Sequence, residues 1–586
     1  MGSTLALRTA VRHSVLLAFL LIGCGSDKLS QPLAPEAGTG GTSQASSGGT
    51  THGGAANGGT QASGGTSSSG GKSTSGGTSN TAGTTGNDSG VSGGAAAGGV
   101  SSDSGASSGG STRDSGSDGA AGSAGAGGAS GVAGAGGSAG ADDADGGDSP
   151  AMPIPPVLAP TSTDATTDYY AITVKTGTAQ MRPGAPTPIV GFNGIFPGPT
   201  LVATKGRAVQ VTQTNAWTEN ITIHNHGHKA PAASDGHPID YVTPGKSKVY
   251  TYPNDQNAAT YWYHDHTMDL AGPHIYSGLA GFYVIHDTAE DALKLPSGKY
   301  DVPLMVQDKA FNDDNTLFYS TSTIGPGFIG KVGVVNGVVS PHFDVDTHKY
   351  RLRLLNASNA RLFKVALKSG KSFQVIGSDG GLLSAPVSVT ALSIAPAERY
   401  DVVVDFSGSA VGTTETLVNT ETTMPLITDL VEFRVKNAVT DDSTVPSTLA
   451  QITRLQEAAS AGTATWTFSQ DFTNNGEWTI NNTIYDPARM DQTSHLGSVY
   501  VWKLVNSSGF YHPFHKHLTE FQILDVDGKA PSPEQSGWKD TVQVPVGSTV
   551  RIIFADQTYT GTYVFHCHIL EHEDHRMMLQ ESVVSP

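Results

Sequence analysis

The sequence is poor in cysteine: 586 residues contain only Cys24 and Cys567. It has no basic tract, and its formal net charge is −18, which argues against nucleic-acid binding. It has no long apolar run; the one near the N-terminus, Val15 to Ile22, is too short to span a bilayer as a helix. Glycine is abundant, but without the strict Gly-X-Y period that a collagen triple helix requires. Helical periodicity is scarce, and no methionine-rich insertion occurs.

The N-terminus carries Arg8 and Arg12, then the apolar run, then Leu21-Ile22-Gly23-Cys24. Residues 1–23 read as a secretory signal. They resemble a bacterial lipoprotein signal, which implies a lipidated Cys24 and a membrane anchor; the plainer alternative is a cleaved signal with an incidental cysteine. Gly25 is not the Asp type of retention signal, so the outer membrane is expected, on its periplasmic side or at the cell surface. No Arg-Arg pair precedes the run, so no twin-arginine route is indicated. From about Pro35 to Pro150, the bulk of a segment spanning residues 24–152, the sequence is Gly, Ser, Ala and Thr with scattered Asp. Such a segment buries too little apolar surface to offset chain entropy and reads as a disordered tether.

From Asp168 onward, short segments rich in Val, Ile, Tyr, Thr and Phe alternate with Gly, Pro, Asn and Asp clusters, as in YYAITV, GRAVQVTQTN and RYDVVVDF. Many short strands imply an all-β body of sandwiches or barrels. About 430 residues are too many for one such domain.

The chemistry concentrates near the C-terminus, in HCHILEHEDHRMM, His566 to Met578. If Cys24 is lipidated, Cys567 has no partner, and metal ligation best explains a lone exported thiol. One Cys, two His and a distant Met suit a blue-copper site. On a strand, Cys567 points one way while His566 and His568 point the other, so one segment can serve two metal centres. Three further His-X-His pairs stand in strand-like surroundings: His224/His226, His264/His266 and His515/His517, the last preceded by His512. One such pair is weak evidence for a metal site, and a pair can be half of a zinc site. Four pairs with a single thiolate fit closed structural zinc poorly and suit copper.

These motifs resemble those of the multicopper oxidases, in their spore-coat laccase and bilirubin oxidase branch. NGIFPGPT (193–200), SDGHP (234–238), SGLAGFYVIHD (277–287), IGSDGGLL (376–383), APAERYD (395–401) and GWKDT (537–541) carry the likeness beyond the histidines. The resemblance implies three cupredoxin-like Greek-key domains, at 153–290, 291–440 and 441–586. It implies four copper ions: a type 1 ion on His512, Cys567 and His572 with Met577 axial; a type 2 ion on His224 and His515; and a type 3 pair on His226, His264, His266, His517, His566 and His568. Asp235 and Glu573 match family acids that supply protons near the cluster, or else orient its ligands. The implied activity is one-electron oxidation of phenolic, aromatic or related donors coupled to reduction of dioxygen to water, with electrons entering at an exposed edge of His512 or His572. Oxidation of Cu(I) or Mn(II), and a copper-binding electron-relay or sequestration lipoprotein, are the alternatives. A monomer is expected.

Overall fold

The computed structural model describes residues 149–320, 325–556 and 558–586. The expected signal, Cys24 and nearly all of the tether lie outside them. Among the described residues the strands form six sheets, paired in chain order around three separate apolar cores. The all-β, cupredoxin-like expectation therefore holds.

The first sandwich faces a five-stranded sheet, containing Thr167–Ala179 and Ala208–Asn215, against a four-stranded sheet of Gly198–Thr204, Ala280–His286, Ala259–Asp265 and Ile223–His226. Burial along Ala208–Asn215 alternates residue by residue, as a strand with one face on a core requires. The second sandwich is built on Asp301–Lys309, Lys349–Asn356 and Arg399–Asp405. In the third, a sheet with Ser460–Asp471 and Val499–Asn506 packs on one with Gly561–Cys567, His512–Lys516 and Thr541–Val544.

A repeated corner links the three. Each sandwich has a parallel strand pair: Thr167–Ala179 with Ala208–Asn215, Asp301–Lys309 with Lys349–Asn356, and Ser460–Asp471 with Val499–Asn506. The second strand of each pair ends in a buried asparagine: Asn215, Asn356 and Asn506. Each Nδ2 donates to two backbone carbonyls, at distances from 2.7 to 3.0 Å, and each Oδ1 accepts from the backbone N–H two residues on. Burial makes such a fully used carboxamide costly to remove. In the first and third sandwiches this corner leads into the His224 and His512 segments; in the second it leads to Arg361.

The last residues assigned to the tether join the folded body. Ala151 bridges to His342, and Met152 is buried in the second core. Met152 is a large apolar side chain at the end of a Gly/Ser/Ala stretch, and its burial draws the chain onto the sheet.

Candidate metal centres

The sheets bring the motifs together from opposite ends of the body. His224 pairs with His264 across Ile223–His226 and Ala259–Asp265 in the first sandwich, and His515 pairs with His566 in the third. The eight histidines of the four His-X-His pairs are all buried. Their rings meet between the two sandwiches: His224 stacks on His517 at 3.8 Å between centroids, and His226 on His515 at 3.7 Å.

Which nitrogen each ring presents follows from its other partner. The Nδ1–H groups of His224, His264 and His515 donate to the backbone oxygens of Asp235, Asp265 and Asp540 at 2.6, 2.8 and 2.9 Å. Their Nε2 atoms are buried without a partner. His226 is reversed: its Nε2 lies 3.0 Å from Asp540 Oδ1 and 3.1 Å from Thr541 Oγ1, and its Nδ1 is the unpartnered atom. His568 leaves both nitrogens unpartnered. Buried polar atoms are ordinarily satisfied, so this convergence marks a place for cations.

The nitrogens fall into two sets of three, His226 with His264 and His568, and His266 with His517 and His566; His224 and His515 also group with His226. In the second set the Nε2 atoms are 3.2, 3.2 and 3.4 Å apart. The centre of that triangle lies about 1.9 Å from each nitrogen, close to a metal–imidazole bond of about 2.0 Å. Burial, with repulsion between neighbouring rings, holds His224, His226, His515, His517 and His568 well below the usual imidazole range, and His264 and His266 at about 3 and 4. Neutral imidazole is the form that binds metal.

Carboxylates back these rings. Glu573, on the short helix Leu570–Asp574, sets its two oxygens 3.3 Å from His266 Nδ1 and 3.2 Å from His566 Nδ1. Burial raises its carboxyl, but the two imidazoles outweigh burial and hold it at about 2. Asp235 Oδ2 accepts from His517 Nδ1 at 2.7 Å; burial pushes this carboxyl up to about 8. Asp540 is a partner that the sequence reading did not single out, although it stands inside the quoted GWKDT motif.

A separate group forms on the other face of the His566–His568 segment. Cys567 Sγ lies 3.2 Å from His512 Nδ1 and 3.6 Å from His572 Nδ1. The far nitrogens are occupied: Ser508 Oγ is 2.8 Å from His512 Nε2, and Gly325 O is 3.4 Å from His572 Nε2. Met577 is buried in the same core as Cys567, and its carbonyl accepts from the Cys567 N–H at 3.1 Å. Burial pushes the Cys567 thiol far above its usual range, so metal uptake must release its proton.

The expected exposed histidine edge is not found. His512 and His572 are 0% and 1% exposed, because Trp478 stacks on His572 at 4.1 Å and lies 5.3 Å from His512. The missed signal was the aromatic in GEWTI, a segment that carries no polar ligand. Beside Trp478 lies a cleft of about 510 Å³ whose walls include Glu477, Tyr319, Glu571, Asp574, His575 and Arg576. A larger cavity of about 800 Å³, walled in part by Lys229, Glu520, Leu449 and Trp538, holds none of the twelve expected ligands.

Three family models, each described as multicopper oxidase, match residues 173–290, 277–413 and 454–585. The chain is 35% identical to a laccase of Bacillus subtilis (strain 168) over 513 residues, covering 74% of this chain and 98% of that one. It is 35% identical to a bilirubin oxidase of Albifimbria verrucaria, covering 73% and 79%. A crystal structure of a multi-copper oxidase from Pediococcus acidilactici superposes with a TM-score of 0.70 at 32% identity, covering 76% of this chain and 93% of that one.

Proposed function

Because the chain belongs to the multicopper oxidase family, we propose that it is a laccase-like oxidase in which His512, Cys567, His572 and Met577 hold a type 1 copper. On this reading His224 and His515 hold a type 2 copper, and His226, His264, His266, His517, His566 and His568 hold a type 3 pair. Copper held by these residues would supply one-electron redox chemistry, so that four donor electrons and four protons convert one dioxygen to two waters. The observation that carries the reading is the convergence of unpartnered imidazole nitrogens from two sandwiches, beside a thiol–imidazole group on the opposite face of one strand.

The chain's own residues do the rest. Cys567 belongs to one group and its covalent neighbours His566 and His568 to the other, so the segment joins the two. Glu573 orients His266 and His566, and both carboxyls stand where protons are consumed; Asp235 orients His517. Trp478 and the Gly325 carbonyl cover His572, so donors approach over this cover. The adjoining cleft sets Glu477 and Asp269 beside Arg576, while burial holds Glu571 and Asp574 above the usual carboxylate range, so it selects no donor charge and leaves phenols, aromatic amines and the metal ions Cu(I) and Mn(II) as donors. On this reading the three domains are residues 153–290, 291–440 and 441–586. Attachment to the cell envelope through Cys24 completes the proposal.

Copper analysis with optical and paramagnetic resonance spectra of the loaded protein tests it. Four coppers, a blue band, a type 2 signal and a spin-silent pair are expected, with oxygen uptake in the presence of donors. A single blue copper and an empty cluster after loading would instead indicate a relay or storage protein.

A further inference from the structure

The middle sandwich supplies none of the proposed copper ligands, yet its Arg399 grips Asp540, a residue that holds two cluster imidazoles. Arg399 is 0% exposed, and its guanidinium has all five donors engaged. Nε donates to the Thr260 carbonyl of the first sandwich at 3.0 Å. Nη1 and Nη2 donate to the Ala397 and Asp379 carbonyls, each at 3.1 Å. The same two nitrogens grip Asp540 of the third sandwich, at 2.7 Å to Oδ1 and 2.5 Å to Oδ2. Five donors in a rigid plane are thus matched by five acceptors drawn from all three sandwiches.

Asp540 acts on two cluster imidazoles. Its Oδ1 accepts from His226 Nε2 at 3.0 Å, and its backbone oxygen accepts from His515 Nδ1 at 2.9 Å. Thr541 Oγ1 donates to Asp540 Oδ1 at 2.9 Å and so offers its lone pair to His226 Nε2 at 3.1 Å. Both neighbours of His226 Nε2 are acceptors, so that nitrogen carries the proton and Nδ1 faces the cluster. Asp379 braces the same segment from the middle sandwich: its Oδ2 accepts from the N–H groups of Asp540 and Thr541 at 3.3 and 3.2 Å and from Lys539 Nζ at 3.0 Å. No room is left around the grip. A Cβ on Gly227, next to His226, would lie 2.3 Å from Asp540 Oδ2 and 2.8 Å from Arg399 Nη2, and that glycine has φ +82°.

We propose that Arg399 and Asp540 are positioning residues that fix the tautomer of His226 and the seat of His515, so that the middle sandwich clamps a cluster formed by the other two. The proposal rests on the copper assignment above, but its failure can be separated from the failure of that assignment. It accounts for His226 alone presenting Nδ1 where His224, His264 and His515 present Nε2. Arg399→Lys keeps the charge but cannot fill five acceptors. Asp540→Asn sets an amide donor against one arm of the guanidinium, and Thr541→Val removes the second acceptor from His226 Nε2 together with the Thr541 donor to Asp540 Oδ1 and the 3.3 Å contact to His515 Nδ1.

The test uses full-length protein loaded with copper, with wild type and the three variants compared by copper content, optical spectrum and paramagnetic resonance. Arg399→Lys and Asp540→Asn are expected to keep the type 1 blue band and its anaerobic reduction rate. They are expected to bind the cluster coppers about 10- to 100-fold more weakly, with an altered type 2 signal and slower reoxidation by dioxygen. Thr541→Val is expected to show the same pattern, more weakly. Wild-type cluster occupancy and spectra in both clamp variants would overturn the proposal alone. Joint loss of type 1 and cluster copper in all three variants would also overturn it, since the residues would then only support the fold. A wild-type chain lacking cluster copper would overturn the copper assignment as well.

Discussion

Replacing Glu573 with Gln should separate the two halves of the catalytic cycle. The carboxylate presents two acceptors, one to His266 Nδ1 at 3.3 Å and one to His566 Nδ1 at 3.2 Å. An amide presents one acceptor and one donor, so one imidazole N–H meets an opposing N–H in a fully buried place. His566 has a second acceptor in the Cys567 carbonyl at 3.1 Å, which limits the damage on that side and directs the amide oxygen toward His266. The remaining mismatch is one lost acceptor and one unmatched buried donor, worth about 1–3 kcal/mol. At about 1.4 kcal/mol per factor of ten, that is a loss of about 5- to 140-fold. Stopped-flow measurements can read the steps separately: bleaching of the blue band by donor without oxygen, then its return when oxygen is admitted. Bleaching should keep its rate, because the Glu573 carboxylate is turned to His266 and His566 and not to His512 or His572. Reoxidation should slow by the stated factor. Equal slowing of both steps, or of neither, would refute the reasoning.

Several other outcomes follow from the same geometry. Cys567→Ser should abolish the blue band and leave the cluster coppers in place, as copper analysis and paramagnetic resonance will report. In the wild-type chain the buried thiol is protonated far above its ordinary range, so type 1 loading should strengthen by up to about tenfold per pH unit at neutral pH, read by copper titration across pH. The metal-free protein should weaken in acid. His264, His266 and His512 are held at about 3, 4 and 3 by burial, below the value of about 6.5 they regain on unfolding. The unfolded chain therefore binds more protons below that pH, and stability is lost as pH falls. Each ring costs about 1.4 kcal/mol by pH 5.5, and urea midpoints that stay level from pH 7 to 5.5 would contradict this. Trp478→Ala should uncover His572, change the type 1 potential and cost about 3–5 kcal/mol of stability, with the cluster spectrum unchanged.

The fold was legible because short runs of β-branched and aromatic residues between turn-forming clusters are a local signal. YYAITV lies within Thr167–Ala179, and GRAVQVTQTN and RYDVVVDF contain Ala208–Asn215 and Arg399–Asp405 with at most two residues over. The common architecture of the three sandwiches was not legible. Its marker is one buried asparagine per sandwich, set in TNAWT, LNASN and VNSSG, and no other position is the same in all three contexts. The carbonyls that each carboxamide satisfies include strand ends up to 38 residues away, so the repeat lies in the hydrogen bonding rather than in the text. Met152 escaped for a related reason, since its partner strand begins at His342.

The proposed ligands and their supports differ in the same way. A pair such as His264 and His266 declares itself because strand geometry turns both residues to one side. The groups that hold those rings come from elsewhere: Asp540 is 314 residues from His226, and Asp235 is 282 from His517. No spacing rule reaches that far. A trace did exist, because Asp379 stands in IGSDGGLL, Arg399 in APAERYD and Asp540 in GWKDT, three segments whose likeness to the family extended beyond the histidines. A motif without a metal ligand, in a sandwich without a metal, is most simply explained if the cluster needs that sandwich to hold it. Arg399 has the geometry to do so, with a saturated, fully buried guanidinium whose five acceptors come from three sandwiches. A spacer domain would not require one, because a buried charge is tolerated only where every donor is answered.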